Sequence, residues 1–253
     1  MDNIGLQLYS IKDSSEKDLL GTLEKVAEMG YNGAQFAGFF NLNAADVKAK
    51  MDSVGIKAAG SHVQIDQLQH QLDEIVTFHE TIENDLIIVS SLPKNMRTTA
   101  DDYKRSASIL DEIGGTLHAK GFKLAYHNHG FEFESFDGTT GFDILFGNTT
   151  SDHLKMELDC FWAAYAGHDP IEIIGKYADK CVSLHIKDMI VKDEQYISTE
   201  LGTGTLPLAD YVRKGNEVGA KWLVVEQEEF TKDPLDSAEV NLKEIRRLFG
   251  TFF

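Results

Sequence analysis

Five short apolar segments of this chain end in side chains that can bind a cation or move a proton. KAAGSHV carries His62 near its end, and FKLAYHNH ends in His127, Asn128 and His129, with Glu132 three residues on. LKMELD ends in Asp159, CVSLHIKD carries His185, Lys187 and Asp188, and WLVVEQE carries Glu226 and Glu228. Glu132, Asp159, His185 and Glu226 make an oxygen, oxygen, nitrogen, oxygen ligand set. Three carboxylates with one imidazole suit one divalent metal ion, Mn²⁺, Mg²⁺, Co²⁺ or Zn²⁺, over soft copper(I). Gathering such carboxylates in apolar surroundings costs many kcal/mol, and one divalent cation offsets that for several together. The alternative is a set of polar residues bonded to one another.

The segments that carry these groups alternate with helical patterns. Strands are expected at Ile4 to Ser10, Gly33 to Gly38, KAAGSHV ending at Val63, Asp85 to Ser91, Phe122 to His129, Leu154 to Asp159, Cys181 to Asp188 and Trp222 to Glu228. Helical spacing joins Leu19, Leu20, Leu23, Val26 and Ala27, and also Leu68, Leu72, Ile75, Val76, His79 and Ile82. Further helices are expected at Ala44 to Ser53, Thr99 to Lys120, Pro170 to Tyr177, Pro207 to Val218 and Asp236 to Phe249. Glycines 30, 55 and 121 supply stops, and prolines 170 and 207 suit a first turn.

Eight strands, each followed by a helix, are what a closed (β/α)₈ TIM barrel needs, and one such α/β domain accounts for residues 1–253. A doubly wound open sheet is the alternative, but LQLYSIKDSSEK lacks the glycine-rich phosphate loop that such a sheet more often shows after its first strand. In a barrel, chemistry gathers at the C-terminal ends of strands. Period two then puts Ser183, His185 and Lys187 inside the barrel and Val182, Leu184 and Ile186 against the helices. Glu157 shares a face with Asp159, and Val224 with Glu226 and Glu228.

The composition narrows the function. Apolar residues make up 42% of the 253, enough for a sizeable core, and the net charge is −17. That field repels nucleic-acid backbones and anionic membrane surfaces. Cys160 and Cys181 form neither a disulfide framework nor a metal pair. The opening MDNIGLQLYS, with Asp2, has no basic stretch before an apolar run, and no segment reads as a membrane span. The expected location is cytoplasmic.

AYHNHGFEF, ELDCFWAAYAGHDP, LHIKD, ELGTGTLPL and WLVVEQE resemble the xylose isomerase-like TIM-barrel superfamily, and within it the sugar phosphate isomerase/epimerase group. IGLQLYSIKD matches as well, so the likeness runs over nearly the whole chain. The resemblance implies one divalent metal, Mn²⁺ first, held by Glu132, Asp159, His185 and Glu226, with His127 as the rival to Glu132. It implies a small-molecule carbohydrate substrate facing His62, His127, His129, Lys187 and Trp162. Two positions depart from it: Gln35 stands where glutamate is frequent, and Lys12 where arginine is.

The chemistry expected is proton abstraction next to a carbonyl through an enediolate, on a free, phosphorylated or keto sugar. Glu132, Glu226 and Lys187 are the catalytic candidates: the glutamates flank the substrate and the lysine holds oxygen charge. Return of the proton gives epimerisation or aldose–ketose isomerisation, and loss of a β-substituent gives a lyase or dehydratase. A metal-dependent apurinic endonuclease is disfavoured by charge. A barrel that only binds a sugar or a partner protein is the non-enzymatic alternative. His79 reads as a packing residue and His118 borders a similar face. His70, His153 and His168 read as peripheral. Asp188 is expected to brace its loop, and Glu200 to orient His185 or Lys187.

Overall fold

The computed structural model describes residues 3–250. Asp2, and with it the start of the N-terminal segment read above, lies outside them. Eight parallel strands close into one barrel in sequential order: Ile4–Gln7, Gly33–Phe36, Lys57–Val63, Leu86–Val89, Lys123–His127, Lys155–Asp159, Cys181–Ile186 and Trp222–Val225. The first pairs with the eighth, so the sheet has no free edge. Both faces of these strands are covered, which is why most read as continuous apolar runs. Among the described residues no helix is long and apolar enough to cross a membrane.

Local chemistry sets the helix limits. Asn43 accepts a hydrogen bond from the Asp46 amide at the start of helix Ala44–Val54, and Gly55 ends it in the left-handed region at φ 74°. Thr99 and Asp102 form a reciprocal cap on helix Ala100–Ala119. Pro170 opens helix Pro170–Lys176, and Leu208–Val218 and Pro234–Gly250 complete the outer layer.

The strands stop earlier than their apolar runs. Leu8–Ile11 turn into a 3₁₀ helix rather than extending the first strand to Ser10. The run containing Leu68 and Ile82 divides into helices Ile65–His70 and Leu72–Thr81, because Gln71 leaves helical geometry at φ −132°. After the seventh strand, Asp188–Lys192 pairs antiparallel with Gln195–Thr199 in a hairpin outside the barrel. Val182 also departs from expectation. It packs with Leu86, Ile88 and Ala125, while Leu184 and Ile186 join the large core. The register between strands six and seven shifts between Met156 and Glu157, so alternation fails locally there.

Two small apolar clusters fill the barrel floor: Ala59, Trp222 and Val224, and Leu86, Ile88 and Ala125. Two residues further along the fifth and eighth strands, the inward positions are His127 and Glu226. The barrel thus changes from apolar to ionisable along its own axis.

Candidate active site

A cavity of about 300 Å³ opens at this polar end, with His62, His127, His129, Lys187, Glu226 and Glu228 on its wall. Tyr9, Gln64, Ser90 and Ser91 also line it. Gly60 prepares the approach of His62. Its φ is 118°, a conformation that L side chains rarely adopt, and a Cβ there would also meet the end of the Ile88 side chain at 2.6 Å, so glycine suits this point of strand three.

Beneath the cavity lies Glu157, fully buried. Its Oε1 is 2.8 Å from His62 Nε2, 3.0 Å from His185 Nε2 and 3.3 Å from His127 Nδ1. Its Oε2 accepts a hydrogen bond from Gln35 at 2.6 Å. Burial alone would favour the neutral acid, but the charge on His185 and the bonds from the imidazoles hold Glu157 well below the usual carboxylate range. Gln35 lies wholly inside this network. It accepts from Gln7 and lies 2.6 Å from His185 Nε2, so it braces the site from below and does not line the cavity.

Lys187 is the second hub. Its ammonium lies 2.9 Å from Asp159, 2.7 Å from Glu226 and 2.6 Å from Glu228. Burial opposes its charge, yet these three carboxylates raise its pKa well above the ordinary lysine value. Burial likewise opposes ionisation of Glu226, but Lys187 and then His185 outweigh it and hold the acid well below its usual range. His185 is squeezed between Glu157 and Glu226. Those charges overcome its burial and lift the imidazolium to about 10. His127 and His129 are pushed the other way, to about 3, chiefly by burial. Glu228 is raised, by burial first and with the charge of Glu226 adding to it.

Donor atoms of His127, Asp159, His185 and Glu226 lie within 4.8 Å of one another, and so do those of His62, His127, Glu157 and His185. In the first group, His127 Nε2 lies 3.7 Å from Asp159 Oδ2, while Lys187 Nζ pairs with that same oxygen. Two buried imidazoles and two buried carboxylates converging in this way fit a divalent cation.

Asp159, His185 and Glu226 therefore come together as the sequence suggested. Glu132 does not join them. It sits in the 3₁₀ turn Phe131–Phe133, where Tyr126 donates to one carboxylate oxygen at 2.5 Å and the His129 amide to the other at 2.7 Å. Its place beside the other three is taken by His127. Burial raises Glu132 to about 7 against those hydrogen bonds. Trp162 stands behind His129, with ring centroids 5.9 Å apart, and does not line the cavity.

Glu200 accepts from Ser237 and Thr199 and lies 3.4 Å from Lys232, so it orients neither His185 nor Lys187. Asp188 does brace its loop, accepting from the amides of Met189, Gly202, Gly204 and Leu206. His79 is buried against Phe39 and Phe78, with Nδ1 on the Ile75 carbonyl and Nε2 unpaired.

The most central residue that the sequence left without a role is Glu157. Period two already set it on the face of Asp159, one step deeper, and a carboxylate inside a barrel needs cationic partners. Ser90 and Ser91 at the end of strand four carried a similar, weaker signal.

The closed eight-stranded barrel and its ionisable mouth define a class of protein, and comparison with known sequences agrees. A model of the xylose isomerase-like TIM barrel family matches residues 23–248. The chain belongs to that family. It is 23% identical over 246 residues to the inosose dehydratase of Geobacillus kaustophilus (strain HTA426), covering 82% of this chain and 79% of that one. Among solved structures, a sugar phosphate isomerase/epimerase from Parabacteroides distasonis ATCC 8503 superposes with a TM-score of 0.83 at 21% identity, covering 98% of each chain. The IOLI protein, solved with a zinc atom, superposes with a TM-score of 0.78 at 14% identity over 99% of each chain. At these identities the solved structures share the fold.

Proposed function

We propose that this protein is a divalent-metal-dependent enzyme that removes a proton next to the carbonyl of a small sugar or cyclic keto-polyol, and that elimination of a β-hydroxyl follows. The observation that carries the reading is Glu226. It is a carboxylate on the cavity wall, held ionised by Lys187 and His185 and so able to accept a proton. His127, Asp159, His185 and Glu226 would hold the cation, Mn²⁺ being the one expected and zinc in the IOLI protein a precedent for the fold. A cation bound there supplies Lewis-acid stabilisation of oxygen charge, worth several kcal/mol.

The protein's own steps balance simply. The carbon–hydrogen bond breaks and Glu226 takes the proton. The electron pair becomes the new double bond as the β-carbon–oxygen bond breaks. The departing hydroxyl takes up the proton that Glu226 accepted and leaves as water. Lys187 steadies the developing oxygen charge, and His62 and His129 bind substrate hydroxyls.

Elimination is placed ahead of epimerisation for two reasons. The relative from Geobacillus kaustophilus is a dehydratase. Glu132, the expected second carboxylate, is engaged by Tyr126 and His129 away from the cavity. Isomerase or epimerase activity is the second reading. It is supported by the solved structure from Parabacteroides distasonis, and it would use an imidazole in place of Glu132 on the opposite face.

The test is a panel of inososes, free and phosphorylated ketoses and 3-keto sugars, incubated with Mn²⁺ in D₂O and followed by proton NMR. An unsaturated or dehydrated product supports elimination. An inverted, deuterated product supports epimerisation. Turnover without solvent exchange would remove Glu226 as the base.

A further inference from the structure

Tyr165 and Tyr196 stand at the rim with 47% and 53% of their surfaces exposed. They come from different elements. Tyr165 closes helix Cys160–Tyr165 after strand six, and Tyr196 belongs to the hairpin strand Gln195–Thr199 after strand seven. Their ring centroids are 5.8 Å apart, nearly perpendicular. Tyr165 meets Trp162 at 5.2 Å, and Trp162 meets His129 at 5.9 Å. His129 lines the cavity, as does Lys187, whose ammonium is 5.9 Å from the Trp162 ring. Gly130 lies alongside the row, where a Cβ would make ordinary contact with Tyr165 at 3.4 Å and Trp162 at 3.6 Å.

A continuous row of rings therefore leads from the cavity wall to the surface. Half-exposed tyrosines contribute little to a core, and a contiguous exposed aromatic row marks a binding surface. The rings of Trp162, Tyr165 and Tyr196 carry no charge, so they offer a neutral ring an apolar face and a phosphate no counter-charge.

We infer that this row binds a neutral second sugar ring, carried by the substrate, while the reacting ring occupies the cavity. The inference rests on the sugar reading above and adds to it that the natural substrate is larger than a monosaccharide. The second ring lays its C–H face on Tyr196 and Tyr165, and its hydroxyls stay in water.

Calorimetric titration of the Mg²⁺-supplied protein with methyl β-D-glucopyranoside and with cellobiose tests this. Cellobiose is expected to bind about tenfold tighter. Tyr165→Ala and Tyr196→Ala should each shrink that ratio about threefold and leave the methyl glucoside unchanged, and Tyr196→Phe should keep it. Equal affinity for the two sugars, binding of neither, or a ratio that persists in the double alanine variant overturns the inference. So does a gain with phenyl β-D-glucopyranoside that cellobiose does not share. Solvent exchange in an unsubstituted keto sugar would then leave the proton-transfer reading standing, whereas its absence across the panel removes that reading separately.

Discussion

Glu157 Oε1 lies 2.8 Å from His62 Nε2, so a carboxylate at the barrel's centre fixes an imidazole on the cavity wall. The same oxygen reaches His185 and His127. One buried charge thus orients three histidines at once.

Removing that charge should be felt first as stability. Glu157→Gln leaves His185 charged beside Glu226 with its second counter-ion gone. We expect a loss of about 3 kcal/mol, the usual effect of breaking a buried pair, read from the urea midpoint at pH 7. An unchanged midpoint would mean that the network is redundant.

Metal content should separate ligands from neighbours. His127→Ala, Asp159→Asn and His185→Ala should each lower bound Mn²⁺ by elemental analysis. Lys187→Ala and Glu132→Gln should retain it. Lys187→Ala should also reduce turnover, by about 10²-fold if it stabilises oxygen charge. Loss of metal in Glu132→Gln with retention in His127→Ala would reverse the assignment of the strand-five ligand.

Glu132 carries a pH signature of its own. Its pKa is raised to about 7 from 4.5, so between those values the native state holds a proton that the unfolded chain has lost. Its contribution is fully present below pH 4.5 and disappears as pH rises through 7, by about 3 kcal/mol in total. His127, lowered to about 3, acts in the opposite sense: stability falls as pH drops from 6.5 towards 3. The difference between wild type and Glu132→Gln isolates the glutamate. A flat difference from pH 4.5 to 7 in denaturant titrations would contradict the raised value.

His79→Ala should cost about 2 kcal/mol through lost packing against Phe39 and Phe78. Turnover per folded molecule should not change, because His79 packs from helix Leu72–Thr81 against Phe39 and Phe78 and does not line the cavity. A specific loss of turnover at full folding would give this histidine a role that its surroundings do not suggest.

The sequence made the barrel legible because each strand ended in a change of residue type that its helix could not share. Alternation placed His185 and Lys187 inside correctly, and the long step from His185 to Glu226 foreshadowed the extra hairpin Asp188–Thr199. Alternation failed where regular geometry failed. Val182 lies beside a register shift, and Glu132 lies in a 3₁₀ turn beyond its strand, where period two no longer governs direction. Glu157 was visible as sharing a face with Asp159, but its depth was not. Pattern gives the face a residue takes, and only the closed barrel shows how far below the cavity floor it sits.

Lys187 gives the barrel mouth a resident positive charge. With its ammonium among Asp159, Glu226 and Glu228, part of the mutual repulsion of these acids is already cancelled when the chain folds. Assembly of the barrel and uptake of an ion are then separable events. A chelator should yield a folded protein that can be reloaded, and loading with different ions should exchange occupants of a finished vessel without rebuilding its walls.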